Sequence, residues 1–281
     1  MYWYGSVDTK TSIDPVDVYN RLSTFNTDMS TYTPCNWHDV VDLGLVKDRS
    51  GYLSAIRSAT MYIAEQKLIS TLNEKDIELI QMVKTLDELD TVINILTERL
   101  VDWYISVTPS YSRKYQHISN SKLVSIIKKT GITSMNGVAK QILSLSETRT
   151  RLMKEVSNKA NTVIPNMSAL VGGLVAARLV CRAGSLKAIA RLPGSSIQVL
   201  GSSGAIFSHI RMGSPSPKHG ILYQHRRVHG AGRKVRGSVS RALASKLAIA
   251  ARIDYYRGDL DPVFIEHSNC RIDNIMNGDT K

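Results

Sequence analysis

The chain has 281 residues, 43% hydrophobic and 21% charged, a balance that excludes global disorder and leaves room for one large domain or two modest ones. Its net charge of +12 is unevenly spread: residues 165–258 hold 15 Lys/Arg against one acid, Asp254, the 164 residues before them are nearly neutral, and the last 23 are acidic. Like charges repel in a compact state, so folding gains nothing from this pattern, and a polyanionic partner, nucleic acid first, explains it. Cys35, Cys181 and Cys270 lie far apart without a CxxC pair. They argue against a disulfide framework and for a reducing compartment. Met1–Gly5 lack the basic start and apolar core of a secretory signal, and the apolar stretch Val163–Cys181 is interrupted by Pro165, Asn166, Gly172-Gly173 and Arg178. A soluble cytoplasmic protein is expected.

Short helices are expected at Pro15–Phe25 and Trp37–Leu45, among turn-formers such as Asp14-Pro15 and Thr33-Pro34. From about Ser50 the spacing becomes helical through Tyr52, Ile56, Ala59 and Ile63. The clearest signal comes next. Leu79, Met82, Leu86, Leu89, Ile93, Leu96, Leu100 and Trp103 step alternately by three and four, an a/d seam over three heptads that Pro109 ends. A short helix, Lys122–Thr130, stops at Gly131. A second long helix runs from Ser134 to Val163, its seam of Val138, Ile142, Leu145, Leu152, Val156 and Val163 interrupted by Arg149 and Lys159. Two such helices predict an antiparallel coiled-coil hairpin, with two core helices of an ordinary bundle as the alternative.

Beyond Pro165 the expected helices shorten to Ala169–Ala183, Ser185–Ala190, Ser195–Gly201 and Ala205–Arg211. Ser214-Pro215-Ser216-Pro217 is a loop, Tyr223–Gly232 is basic and irregular, and Arg236–Arg257 is a strong helix with Leu243, Leu247, Ala250 and Ile253 on one face. No GxxxxGK[ST] occurs, and Gly201-Ser202-Ser203-Gly204 lacks Rossmann spacing, so no nucleotide cradle or other cofactor is expected. His219, His225 and His229 have no Cys/His ligand pattern beside them, so no metal is expected. A segment with one acid is poor ground for paired-carboxylate chemistry, so binding rather than catalysis is expected. Lys218, His219, Tyr223 and Gln224 combine a cation, flat rings and an amide, the groups that stack on unpaired bases and hold phosphates. A helix-turn-helix over Ser185–Arg211 is broken by Leu192-Pro193-Gly194 and Gly201–Gly204.

Several runs carry a resemblance. Pro165-Asn166-Met167-Ser168-Ala169-Leu170-Val171-Gly172, Ala176-Ala177-Arg178-Leu179, Ala183-Gly184-Ser185-Leu186, Pro217-Lys218-His219-Gly220, Tyr223-Gln224-His225 and the run from Arg241 to Asp254 keep the order and spacing of the Nop domain. Upstream, Leu86-Asp87-Glu88-Leu89-Asp90 and Ile93 to Leu100 resemble the coiled coil of the same family, and the likeness spans about residues 50–258. The uninserted form is most similar to the archaeal scaffolds of box C/D small ribonucleoproteins.

The resemblance implies an all-α chain in the main: a short N-terminal region (1–49), a helical coiled-coil dimerisation domain (50–164), a Nop RNA-binding domain (165–258) and an acidic tail (259–281). It implies no enzyme but a scaffold for RNA-guided 2′-O-methylation in rRNA processing. Such a scaffold binds kink-turn guide RNA together with a ribosomal-type kink-turn protein, and forms a homodimer. It also implies RNA contacts from Lys218, His219, Gln224, Arg236, Arg241, Lys246 and Arg252, and protein contacts from Gly201, Ala205 and Phe207. Self-association would run through Leu79, Leu86, Leu89, Ile93, Leu96, Leu100, Leu145 and Leu152. Fibrillarin, the methyltransferase, is an implied partner, although only about fifty residues precede the helices leading into the coiled coil. The alternative is an RNA-binding adaptor that does not recruit the methyltransferase. Where the family's helix opens Gly-Ala-Glu-Lys, this chain has Gly201-Ser202-Ser203-Gly204. Asp254, inside the family-like run, is expected to orient or cap rather than to meet RNA.

Overall fold

A computed structural model of the chain describes residues 3, 12–24, 36–72, 75–108, 120–129 and 132–277. Cys35, Pro109 and Gly131 lie outside them. The described residues form helices and no strand, so the fold is all-α. The chain divides into two compact units, Met1–Glu74 and Lys75–Lys281, rather than at the expected 49/50 and 164/165.

In the first unit, helix α1 (Pro15–Thr24) and α2 (Trp37–Asp42) each pack on α3 (Arg49–Leu72). Val18, Val40 and Ala59 are buried there, and the rings of Tyr19 and Tyr62 meet edge to face at 5.9 Å.

The second unit begins with the seam helix, α4 (Lys75–Val107), which runs against α6 (Thr133–Val163). Leu79 and Val83 share a core with Val156 and Ala160, whereas Leu100 and Tyr104 share another with Met135, Ala139 and Ile142, so the pair is antiparallel. Between them α5 (Asn120–Ile127) places Leu123, Val124 and Ile127 over the far end of the hairpin. Both polar interruptions in the α6 seam find acids on α4. Arg149 grips Asp90 through Nε at 2.6 Å and Nη2 at 3.3 Å, and Lys159 meets Glu78 at 2.5 Å. An ion pair in the seam fixes register where an apolar pair would allow sliding.

The expectation that Leu79, Leu86 and Leu100 face a second copy is corrected by the fold. They are enclosed by their own chain, at 0–1% exposure. Leu89, Ile93, Leu96, Leu145 and Leu152 are half-buried on the same hairpin, and the outward apolar residues of α4 include Val92, Ile95 and Trp103. The heptad rule locates the seam but does not say whose helix fills it.

The base of the hairpin shares one core with the helices beyond Val163: Leu79, Val83 and Val156 pack with Ile164, Met167, Leu179, Leu243 and Leu247. The expected helix Ala169–Ala183 is two, α7 (Pro165–Val171) and α8 (Gly173–Ala183), broken at Gly172 with φ +81°. The break lets α8 lie hard against α6, where a Cβ on Gly173 would stand 2.5 Å from the Ser157 carbonyl oxygen. Next come α9 (Leu186–Arg191), α10 (Gly194–Val199), α11 (Ser203–Met212), a 3₁₀ turn (Ile221–Gln224), α12 (Arg226–His229) and α13 (Arg236–Tyr256). The segment expected as an acidic tail folds from Pro262 to Asn277 as α14, which buries Ile272 on the same core and ties Asp273 to Arg227 at 3.1 Å. Buried Asp76, at the start of α4, accepts the Leu186 amide at 2.5 Å and so stitches the hairpin to α9.

Candidate nucleic-acid interface

Two stretches far apart in sequence close a neck. The Gly220 amide donates to the Gln198 carbonyl at 2.9 Å, the Ile221 amide to Leu200 at 2.9 Å, and the Gln198 side-chain amide to the Lys218 carbonyl at 2.8 Å. Glycine is required after His219 because a Cβ at position 220 would lie 2.0 Å from the Leu200 oxygen. From this neck α11 projects. None of its residues is buried, and Phe207, Ile210 and Met212 are 58%, 78% and 76% exposed. Gly201 and Ala205, the other two expected protein-contact residues, are exposed at its base and first turn.

Beside the neck the rings gather. His219 stacks on Tyr223 with centroids 4.6 Å apart and planes 21° from parallel. The Arg236 guanidinium stands 5.3 Å from the Tyr223 centroid, and His229 closes on the same ring at 5.1 Å. Arg236 is held in place by the carbonyls of Ala231 at 3.1 Å and His229 at 3.3 Å. The aliphatic stem of Lys218 lies across Gly237 at the start of α13. Three expected residues (Lys218, His219 and Arg236) are thus brought together around a fourth, Tyr223. Its placement between them comes from the i, i+4 spacing of His219 and Tyr223 across one tight turn.

Burial, and then the Arg236 charge, push the His219 imidazole below its ordinary 6.5, and burial followed by Arg227 does the same to His225. A neutral ring is the form that stacks without repelling Arg236. The folded chain therefore binds fewer protons than the unfolded chain just below pH 6.5. The contribution is whole above that pH and declines as pH falls toward the lower folded values. Denaturant midpoints are expected to drop between pH 7 and pH 5.5, and less steeply in His225→Gln, as read by urea titrations at each pH.

The remaining expected residues separate. Arg241 and Arg252 are eleven positions apart on α13, which places them on one face about 16 Å from each other. Both are exposed, and Arg252 donates through Nε to the Ala190 carbonyl at 3.2 Å. Lys246 does not share that face. Five residues of helix turn it well away from Arg241, and its ammonium sits 5.9 Å from the centroid of Phe264 on α14. Gln224 is exposed and accepts from Arg178 at 2.8 Å. Asp254 is 4% exposed, so the basic segment shows no carboxylate at its surface. Among the described residues no cluster of His, Cys, Asp and Glu has the arrangement to hold a metal, and no helix is long and apolar enough to cross a membrane.

With this geometry in view, comparison with known proteins gives one answer. The family model Nop, described as "snoRNA binding domain, fibrillarin", matches residues 111–273, from ahead of the hairpin's second arm into α14. An uncharacterised NOP5 family protein of Methanocaldococcus jannaschii is 31% identical over 83% of this chain and 65% of its own length. Nucleolar protein 56 of Schizosaccharomyces pombe is 30% identical over 68% of this chain and 46% of its own, and nucleolar protein 58 of Saccharomyces cerevisiae 28% over 71% and 46%. The chain thus spans under two thirds of these relatives' lengths. Among solved structures, a chain in the crystal structure of a fibrillarin/Nop5p complex is similar with a TM-score of 0.54 and 29% identity, over 97% of this chain and 98% of that one. A family match over more than half the sequence, together with a 31% identical relative over most of it, establishes that the chain belongs to the Nop family.

Proposed function

We propose that this chain is a non-catalytic scaffold of a box C/D-type ribonucleoprotein, binding kink-turn RNA and its kink-turn protein at one composite surface. The observation that carries the reading is the neck at Gln198–Leu200 and Lys218–Ile221. It presents an exposed helix bearing Phe207, Ile210 and Met212, suited to a protein, beside a stacked cationic cluster, suited to unpaired bases and phosphate. A ligand that is RNA already wearing a protein meets both at once. Arg241 and Arg252 extend the cationic surface along α13, and Gly201, Ala205 and Phe207 would meet the protein. Lys246 has a lesser place in this scheme because of its position over Phe264.

Self-association would use the outward hairpin surface that includes Val92, Ile95 and Trp103, since the deepest leucines are already occupied. The methyltransferase would be held elsewhere on the chain. The similar chain comes from a crystal structure of a fibrillarin/Nop5p complex, which supports fibrillarin as a partner. In an archaeal cell, a part in such a particle means the cytoplasm. The test is a binding titration with a box C/D guide RNA, with and without its kink-turn protein, beside an unstructured RNA of equal length. Tight binding only to the RNA–protein complex is expected, and equal affinity for all three would refute the reading.

A further inference from the structure

Among the expected RNA contacts, Gln224 is held through its side chain by a side chain from another helix. Its Oε1 accepts a hydrogen bond from Arg178 Nη1 at 2.8 Å. A guanidinium has only donors, so the amide atom that meets it is the oxygen, and the amide NH₂ is turned the other way. No group among the described residues accepts from that NH₂, and Gln224 is exposed on an open groove of about 910 Å³ lined also by Gly201, Ile221 and Lys84.

Arg178 is itself fixed from behind. Its side chain is 17% exposed, and Nη2 donates to Asp87 Oδ1 at 3.0 Å and lies 3.8 Å from Asp90 Oδ2. Asp90 is held in turn by Arg149 from α6. A row of charges therefore runs from α6 through α4 and α8 to the turn that carries Tyr223 and Gln224. A flat, forked guanidinium joins an acid on one helix to an amide on another in a fixed geometry, whereas a lysine ammonium carries its donors on one rotatable centre.

We infer that Arg178 is a positioning residue: it locks the Gln224 amide with its NH₂ outward, so that this point of the surface takes a hydrogen-bond acceptor of the RNA, such as a base carbonyl, a ring nitrogen or a phosphate oxygen. The inference rests on the RNA-binding role proposed above. It gives the coiled-coil hairpin a part in recognition, because Asp87 and Asp90 hold the residue that aims the amide.

A double-mutant cycle tests it, using the full chain and the guide RNA loaded with its kink-turn protein, with thermal unfolding of each variant as a control on folding. Gln224→Met, which keeps the length and removes the donors, is expected to weaken binding about 5-fold, the effect of one ordinary hydrogen bond. Arg178→Lys is expected to weaken it by a similar factor alone but to add little in the Gln224→Met background. Asp87→Asn, which loosens the anchor of Arg178, should act in the same direction and lose its effect in that background too. Gln224→Glu keeps the Arg178 contact while replacing the outward donor with an acceptor, and is expected to bind worse than Gln224→Met without loss of thermal stability. Losses that simply multiply in the double variants, or wild-type affinity in Gln224→Glu, would overturn the positioning role while leaving the scaffold reading intact. A wild-type chain that fails to bind the loaded RNA would overturn both.

Discussion

Replacing Asp254 with alanine is expected to lower the unfolding free energy by about 3–5 kcal/mol, which for a unit of this size corresponds to a fall in Tm of roughly 6–20 °C. The helix α7 opens with Ile164 in the capping position, a residue with no side-chain acceptor, so its first amides need a partner from elsewhere. Asp254 supplies it from α13. Its Oδ1 accepts the Asn166 amide at 2.9 Å and the Asn166 side chain at 2.7 Å, and its Oδ2 accepts the Met167 amide at 2.9 Å. Asn166 then reaches on, donating to the Asp259 carbonyl at 2.8 Å and accepting the Asp261 amide at 2.8 Å where the chain turns into α14. Burial pushes the Asp254 carboxyl above its ordinary value while the three donors pull it back. Alanine strands all of those donors in the core at once. Asparagine, nearly the same shape, keeps one acceptor and sets an NH₂ against a donor, so it is expected to lose more than half of the alanine effect. Urea unfolding curves give the comparison, and an alanine variant as stable as the parent would refute the account.

This staple shows where sequence reasoning reaches and where it stops. That the lone acid of a basic segment should orient or cap is legible from its isolation, because an acid gains nothing on a surface meant for a polyanion. What it caps is not. Asn166 is 88 residues away, and spacing along a chain reports only local neighbours. The α4 seam is legible for the same reason, since its period is local. Whether Leu79, Leu86 and Leu100 meet α6 or another copy depends on a partner the period does not name. Grouping Lys246 with Arg241 and Arg252 overlooks the 100° per residue that already separates their faces. Two features escape sequence reading because they depend on tertiary closeness. The break at Gly172 brings Gly173 against Ser157 on α6, and the structure of α14 answers to the core it covers. Arg178 stands in a family-like run, and its partners Asp87 and Gln224 lie 91 and 46 residues off.

The second large effect is expected at α11, where the two classes of contact can be separated by their response to salt. Phe207→Ala combined with Ile210→Asp should weaken binding to the protein-loaded RNA by about 30-fold or more, the scale of losing an apolar anchor at the centre of an interface. Neither side chain is buried in the chain itself and α11 has no buried residue, so thermal stability should stay within experimental error of the parent. The salt dependence of the remaining affinity should keep its slope, because no phosphate contact has been removed. Arg241→Glu with Arg252→Glu is expected to do the reverse. Affinity falls for RNA with or without the partner protein, and the slope of log affinity against log salt becomes shallower by about 1.4–1.8, since each lost phosphate contact removes about 0.7–0.9. These two signatures cannot arise from one undivided basic surface. If the α11 variant lost binding equally to bare and protein-loaded RNA, or flattened the salt slope, the helix would be touching nucleic acid. The division of the neck into a protein side and an RNA side would then be wrong.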